Sequence, residues 1–162
     1  MTPSYWQQAT HELGQNDIVM HALISRYTDA TLTSRGDAFT TLVRSIVGQQ
    51  ISVKAAESVW QKIITTLPNI TPASVAGIDD DTLRACGLSF RKTSYLKDCA
   101  HQFSNDLFNE ATWNELNDEA LITSLTKIKG IGRWTAEMFL IFHMQRPDIL
   151  PLDDIGLQRA IS

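Results

Sequence analysis

The chain has 162 residues, 43% of them hydrophobic and 20% charged, which fits one globular domain and excludes a mostly disordered protein. Fourteen lysines and arginines stand against eighteen aspartates and glutamates. This net charge of −4 excludes a protein that coats nucleic acid through bulk charge alone, so any nucleic-acid binding must come from a local surface.

Hydropathy and cysteine content bear on the compartment. No apolar run approaches the roughly 20 residues that span a bilayer, and residues 1–13 lack the basic and apolar segments of a secretory signal. The two cysteines, Cys86 and Cys99, lie outside any metal-ligand spacing, which excludes a four-cysteine iron–sulfur cluster. The sequence therefore predicts a cytoplasmic protein with no membrane contact.

Apolar residues recur at helical spacing almost throughout, and no alternating run indicates a strand, so the predicted fold class is all-α. Helices are predicted over 4–13, 16–26, 37–48, 53–66, 72–76, 82–86, 91–103 and 119–128, with short helices and turns over 106–116. Predicted N-caps are Ser4, Asn16, Ser52, and either Asn117 or Asp118. Gly14 is predicted to separate the first two helices, and Gly87 to end the sixth.

A short glycine-containing turn joins two helical patterns near the end of the chain. The turn is Lys129-Gly130-Ile131-Gly132, and the pattern over about 118–146 predicts a helix-hairpin-helix. Its glycines permit a tight turn with accessible backbone amides, which suit a phosphate, while Ile131 fills the gap between the helices. Its carbonyls could face a bound Na⁺ or K⁺. The same spacing also occurs in purely structural turns.

Three segments in this order resemble one known family: LVRSIVGQQISVKAAESVW, GLSFRKTSYL and KIKGIGRWTAEMFLIFHMQRPDILPLDD. They resemble the 3-methyladenine DNA glycosylase II family, the alkylation-type glycosylases of the helix-hairpin-helix (HhH-GPD) superfamily. The resemblance implies one all-α domain of two helical lobes with a lesion pocket in the cleft between them. It also implies a short form without an N-terminal β-domain, whose expected C-terminal helices are missing after Ser162.

The resemblance assigns the catalytic role to Asp154. One carboxylate near the anomeric carbon stabilises an oxocarbenium-like sugar and orients a water, and an alkylated, cationic base leaves without a dedicated acid. Asp153 is expected to cap the following helix while Asp154 stays ionised near its N-terminus. The alternative is that both aspartates serve only as helix caps.

The resemblance also assigns the base pocket and the contacts to DNA. Trp134 stands where relatives that nick the strand carry a lysine, so it implies a monofunctional enzyme whose flipped base stacks on the indole. Met138, one turn on, lines the pocket or else fills the core. Gln50, or less favourably Gln49, is the expected wedge into the duplex, the alternative being a solvated loop. Backbone contacts are assigned to Lys129, Gly130, Ile131, Gly132 and Arg133.

Other cations could extend a basic rim around the hairpin: Arg44, Lys54, Arg91, Lys92 and Lys127. Scattered cations more often form a solvated face, so only the hairpin group carries weight. No cofactor is expected beyond the possible monovalent cation, and no further metal site is predicted with certainty.

Three functions remain open. The first is a base-excision repair glycosylase acting as a monomer on double-stranded DNA with alkylated purines. Its lesion is 3-methyladenine, or alternatively 7-methylguanine, ethenoadenine or hypoxanthine. The second is a noncatalytic helix-hairpin-helix module that binds or senses damage. The third is a generic helical interaction domain in which these motifs only pack.

Overall fold

The computed structural model describes residues 2–34, 36–105, 108 and 110–161, and all regular secondary structure in these residues is α-helical, as predicted. Eleven helices are described there: α1 (Trp6–Asn16), α2 (Ile18–Arg26), α3 (Ala38–Gly48), α4 (Val53–Thr66), α5 (Pro72–Gly77), α6 (Asp80–Ala85), α7 (Phe90–Ser104), α8 (Glu110–Trp113), α9 (Asp118–Leu125), α10 (Arg133–Phe142) and α11 (Ile155–Ile161). In the segment predicted over 106–116, Asp106, Leu107 and Asn109 lie outside the described residues.

The helices pack around one hydrophobic cluster. α7 packs against α3, α5 and α6, while α3 also packs against α4 and α10, and α10 against α9. The buried apolar side chains from α3 to α10 form this single cluster, whereas α1, α2 and α11 bury no described residue. The division into two lobes stays a prediction. Every described helix is too short or too polar to cross a membrane.

Several helix starts follow from local capping signals. The Ser52 hydroxyl accepts a hydrogen bond from the Ala55 amide at 3.2 Å, and the Asn117 side chain accepts one from the Ala120 amide at 2.9 Å. These bonds satisfy donors that the first helical turn leaves unpaired, so both predicted caps are confirmed. Gly87 has φ +106 after α6, a left-handed conformation that glycine adopts without strain.

The first helix pair differs from its prediction. Neither Ser4 nor Asn16 is an N-cap, because α1 begins after Tyr5 without a side-chain cap and Asp17 accepts from two amides at the start of α2. Gly14 lies inside α1 instead of separating the helices. A Cβ there would stand 3.7 Å from the His21 ring, an ordinary van der Waals distance, so the packing of α1 on α2 does not itself require glycine. A glycine inside a helix costs only about 1 kcal/mol relative to alanine, so one glycine does not break α1.

Candidate nucleic-acid interface and active site

The predicted helix-hairpin-helix is present, formed by α9, the turn over 126–132 and α10. Gly130 has φ +84, and Ile131 is 4% exposed, so its side chain fills the space between the two helices as expected. Gly132 is the N-cap of α10 and supplies no capping side chain. The first amides of α10, those of Arg133 and Trp134, therefore have no side-chain cap, which is the arrangement that accepts a phosphate.

A carboxylate from α7 holds the hairpin turn. The Lys129 amide donates to one Asp98 oxygen at 2.9 Å, and the Lys129 ammonium lies 3.3 Å from the other. The Lys129 side chain is nevertheless two-thirds exposed, so its charge still reaches solvent. Sequence reasoning missed Asp98 because it lies 31 residues earlier and no local pattern links it to the hairpin.

The Arg133 guanidinium lies between two carboxylates. It donates to Glu119 of α9 at 2.9 Å and to Glu137 of its own helix at 2.9 Å. The hydrogen bond from Arg133 holds the pKa of Glu119 below its usual value, and Glu119 in turn raises the pKa of Arg133. The side chain therefore ties α9 to α10, and the phosphate contact assigned to Arg133 falls to its backbone amide.

Two of the predicted site residues are in direct contact. The Trp134 indole N–H donates to Asp154 Oδ2 at 2.8 Å, and the Leu157 amide donates to Asp154 Oδ1 at 2.7 Å. The Leu157 bond, followed by the Trp134 bond, lowers the pKa of the Asp154 carboxyl below its ordinary value. Both oxygens are thus fixed, and the group is held ionised.

The structure shows that the cap of α11 is Asp154 and not, as the sequence had led us to expect, Asp153. Asp154 itself caps α11, since its side chain accepts from Leu157 and its carbonyl accepts from the Gln158 amide at 2.9 Å. Asp153 is exposed and makes no recorded cap bond in the described part of the chain. A single side chain therefore both begins the helix and presents the carboxylate.

The proposed pocket wall lies on one face of α10. Trp134 is 42% exposed and Met138, one turn later, is half-buried on the same side. The opposite side of α10 is buried in the core through Ala136, Phe139 and Leu140. The exposed indole beside an ionised carboxylate offers an aromatic surface and a negative charge within a few ångströms, a combination suited to a cationic planar ligand.

The loop between α3 and α4, residues 49–52, is called the insertion loop below. Its two glutamines point in different directions. The Gln49 side chain donates to the Gly130 carbonyl at 2.8 Å, so it faces the hairpin. Gln50 is exposed and has φ +56. Only Gln50 is therefore free to project from the molecule.

Two of the five predicted rim cations are engaged by partners within the protein. Arg44 pairs with Glu57 at 2.8 Å, and the Lys92 ammonium points into the protein, where it meets backbone carbonyls. In the described residues, Lys54, Arg91 and Lys127 make no ion pair. Local partners therefore account for Arg44 and Lys92, and the other three cations are unpaired in the described part of the chain.

Comparison with known proteins agrees with this geometry. Residues 43–162 match the model of the "HhH-GPD superfamily base excision DNA repair protein" family. DNA-3-methyladenine glycosylase 1 of Schizosaccharomyces pombe is 34% identical over 142 residues, covering 85% of this chain and 62% of that protein.

Two solved structures resemble the chain closely. DNA-3-methyladenine glycosidase of Bacillus halodurans superposes with a TM-score of 0.76 at 34% identity, covering 80% of this chain and 61% of that one. The 3-methyladenine DNA glycosylase of S. pombe, in complex with abasic DNA, gives 0.79 at 30% identity, covering 95% of this chain and 78% of that one. This chain thus spans just over three fifths of the first two relatives. With the family match extending over the hairpin, Trp134 and Asp154, the chain belongs to the HhH-GPD superfamily of base excision DNA repair proteins.

Proposed function

We propose that the chain is a monofunctional DNA glycosylase that extrudes alkylated purines of the 3-methyladenine type from double-stranded DNA and hydrolyses their N-glycosidic bond. One observation carries the proposal: the Asp154 carboxylate is held through both oxygens beside the exposed Trp134 ring. The names of the S. pombe and B. halodurans relatives support the same activity and lesion class.

Asp154 supplies the electrostatic part of the reaction. As the N-glycosidic bond breaks, positive charge develops on the sugar, and an ionised carboxylate near the anomeric carbon stabilises it. The Asp154 carboxylate, whose pKa lies below its ordinary value, is ionised at neutral pH and also orients the attacking water, which releases its proton to solvent after it has bonded to the sugar. An alkylated purine is already cationic, so it leaves without an acid to protonate it.

Trp134 has two functions in this proposal. Its N–H fixes one oxygen of Asp154, while Leu157 fixes the other, so the carboxylate is orientated before substrate arrives. The exposed indole face then receives the flipped cationic base by stacking. Met138 forms the next part of the same wall.

The enzyme forms no covalent adduct with the sugar in this scheme. Trp134 has no amine, and the nearby Lys129 ammonium is paired with Asp98. Base release should therefore leave an intact strand with an abasic site. Borohydride trapping of a protein–DNA adduct would show that the enzyme is bifunctional instead.

DNA binding in this proposal uses backbone donors, the exposed Lys129 ammonium and one inserted side chain. The amides at the start of α10 bind a phosphate, and Gly132, whose Cβ position is open, allows the duplex to approach closely. Gln50 enters the space that the extruded base leaves and offsets part of the unstacking free energy.

A Na⁺ or K⁺ at the hairpin is a separate proposal. The carbonyls of Ile128 and Gly130 each accept one hydrogen bond, which leaves each oxygen a second lone pair for an ion. Such an ion would bridge the hairpin to a phosphate. DNA affinity measured in potassium, sodium and tetramethylammonium chloride at equal ionic strength tests it.

We also propose a monomer in the cytoplasm. Cys86 and Cys99 are free and buried, and the absence of a disulfide between them suits a reducing compartment. Analytical ultracentrifugation tests the oligomeric state, and cell fractionation the compartment.

The deciding experiment is mass-spectrometric detection of free bases released from methylated duplex DNA by the wild-type chain and by Asp154→Asn. Release of methylated purines by the wild type alone is expected, and the mass of the base identifies the lesion. Binding to an abasic duplex without release from any substrate would contradict the proposal and favour a damage-sensing module.

A further inference from the structure

The insertion loop is held by a lysine that sequence reasoning placed on the DNA-binding rim. The Lys92 ammonium, from the first turn of α7, donates to the Val47 carbonyl at 2.7 Å and to the Gln49 carbonyl at 2.7 Å. Lys92 is only partly exposed, and burial lowers its pKa. This ammonium therefore faces the protein and is committed to two backbone acceptors.

The positions of these two carbonyls show which part of the loop Lys92 restrains. The Val47 carbonyl belongs to the last turn of α3, where helix carbonyls have no intrahelical donor. The Gln49 carbonyl belongs to the peptide plane that directly precedes Gln50. Fixing that plane relative to α3 fixes one side of the rotation about the Gln50 N–Cα bond.

Gln50 needs such support because its φ is +56. A side chain other than glycine or asparagine adopts this left-handed conformation only when its surroundings determine it. Gln50 is itself exposed, so the constraint comes from its neighbours. The bond from Lys92 to the preceding carbonyl is the contact that supplies it.

The same loop is tied to the hairpin. The Gln49 side chain donates to the Gly130 carbonyl at 2.8 Å, across 81 residues of sequence. Gly130 lies in the turn whose neighbouring amides are proposed to bind phosphate. Lys92, Gln49 and Gly130 thus form a continuous set of hydrogen bonds from α7 through the insertion loop to the hairpin.

We propose that Lys92 is a positioning residue which, together with Gln49, holds the insertion loop against the hairpin, so that Gln50 enters the duplex in a preformed geometry once the hairpin is on a phosphate. This inference rests on the proposed glycosylase function. It makes Lys92 a contact to the protein's own backbone, with no part in phosphate binding.

The test compares two substrates that differ in how hard the base is to extrude. One duplex carries the alkylated purine in a base pair, and the other carries it in a single-nucleotide bulge, where it is already unpaired. Lys92→Met removes the donors but keeps an unbranched side chain that is only one atom shorter. Arg91→Met is the matched control, because it removes one exposed positive charge from the adjacent position.

Lys92→Met should lower the single-turnover rate on the paired lesion roughly tenfold, the size expected when charged hydrogen bonds are lost, and change the rate on the bulge less than about threefold. Arg91→Met should change both rates by the same factor, because a surface charge that does not touch the insertion loop acts on both duplexes alike. Equal losses on both substrates for Lys92→Met, or no loss on either, would overturn the inference.

A second variant and a second readout complete the test. Gln49→Met removes the hydrogen bond to Gly130 without changing α7, and it should also lower the ratio of the rate on the paired lesion to the rate on the bulge. If Lys92→Met does not fold, the result for Gln49→Met decides the test. If the wild type releases no base, the glycosylase proposal fails. The loop inference is then read from the ratio of affinities for abasic and intact duplexes, which Lys92→Met should lower and an unchanged ratio would contradict.

Discussion

Gly130 is the hairpin position at which any side chain would fit worst. Its φ of +84 lies in the left-handed region, and a Cβ built there would stand 2.2 Å from Tyr95 Cδ2 and 2.7 Å from two further ring atoms. Gly132, two residues on, has φ −87 and nothing within 4 Å of its Cβ position. The substitutions Gly130→Ala and Gly132→Ala therefore form a matched pair within one turn.

The expected loss of stability for Gly130→Ala has two parts. Alanine in the left-handed region costs about 1–2 kcal/mol. Since ordinary contacts begin near 3.4 Å, the Tyr95 ring must move by about 1 Å, and such overpacking costs about 1–3 kcal/mol. The free energy of unfolding should therefore fall by about 2–5 kcal/mol. Gly132→Ala should stay within about 1 kcal/mol of wild type, because a poorer N-cap opposes a less flexible unfolded chain.

Urea unfolding followed by circular dichroism measures both variants. In a Tyr95→Ala background the ring is absent, so Gly130→Ala should cost only the backbone part, about 1–2 kcal/mol. If Gly130→Ala unfolds within 0.5 kcal/mol of wild type, as a rough limit of such measurements, or if both glycine variants are equally destabilised, the argument from φ and the Tyr95 contact is wrong.

Three further predictions concern the site. Asp154→Asn should reduce base release by roughly a hundredfold or more and leave thermal unfolding unchanged, because asparagine caps helices as well as aspartate. A large fall in Tm would show that the lost activity follows from lost structure and not from the lost charge. Trp134→Phe keeps the ring but loses the N–H donor, so the pKa of Asp154 should rise and the acid limb of the kcat/KM–pH profile should move to higher pH; an unmoved acid limb would count against the bond. Lys129→Met removes one exposed ammonium, so the slope of log Kd against log salt concentration should become shallower by about 1. Measuring the Kd for duplex DNA at several salt concentrations tests this, and an unchanged slope would contradict a phosphate contact by Lys129.

Much of the fold follows from local signals in the sequence. Ser52 and Asn117 precede apolar helical runs and cap them, and Gly87 ends its helix with a positive φ. The hairpin is equally local, because glycine spacing and one apolar residue define it. The prediction that Gly14 separates two helices was wrong, because a single glycine does not break a helix on which the neighbouring helix packs.

The site is predictable only in part. Trp134 and Asp154 were assigned from resemblance, and no local pattern shows that they are hydrogen-bonded across 20 residues. Asp153 and Asp154 offer identical side chains at adjacent positions, so only the backbone at the start of α11 decides which one caps it. Asp98 and Lys92 contact backbone groups 31 and 43–45 residues away, and such pairs leave no trace in helical periodicity. Glu137 is different, since its i, i+4 spacing from Arg133 is a readable signal.

The double use of Asp154 ties catalytic competence to a helix that is only weakly anchored to the core. α11 buries no described residue, whereas the core helices around α7 bury many. Regions with few buried contacts open at lower free energy than the global fold. Each time the first turn of α11 frays, the carboxylate loses the Leu157 amide and swings away from the indole. On warming, the reaction should therefore stop while the hydrophobic core is still folded. Any ligand or segment that binds and stabilises α11 would act as an activator without touching the substrate.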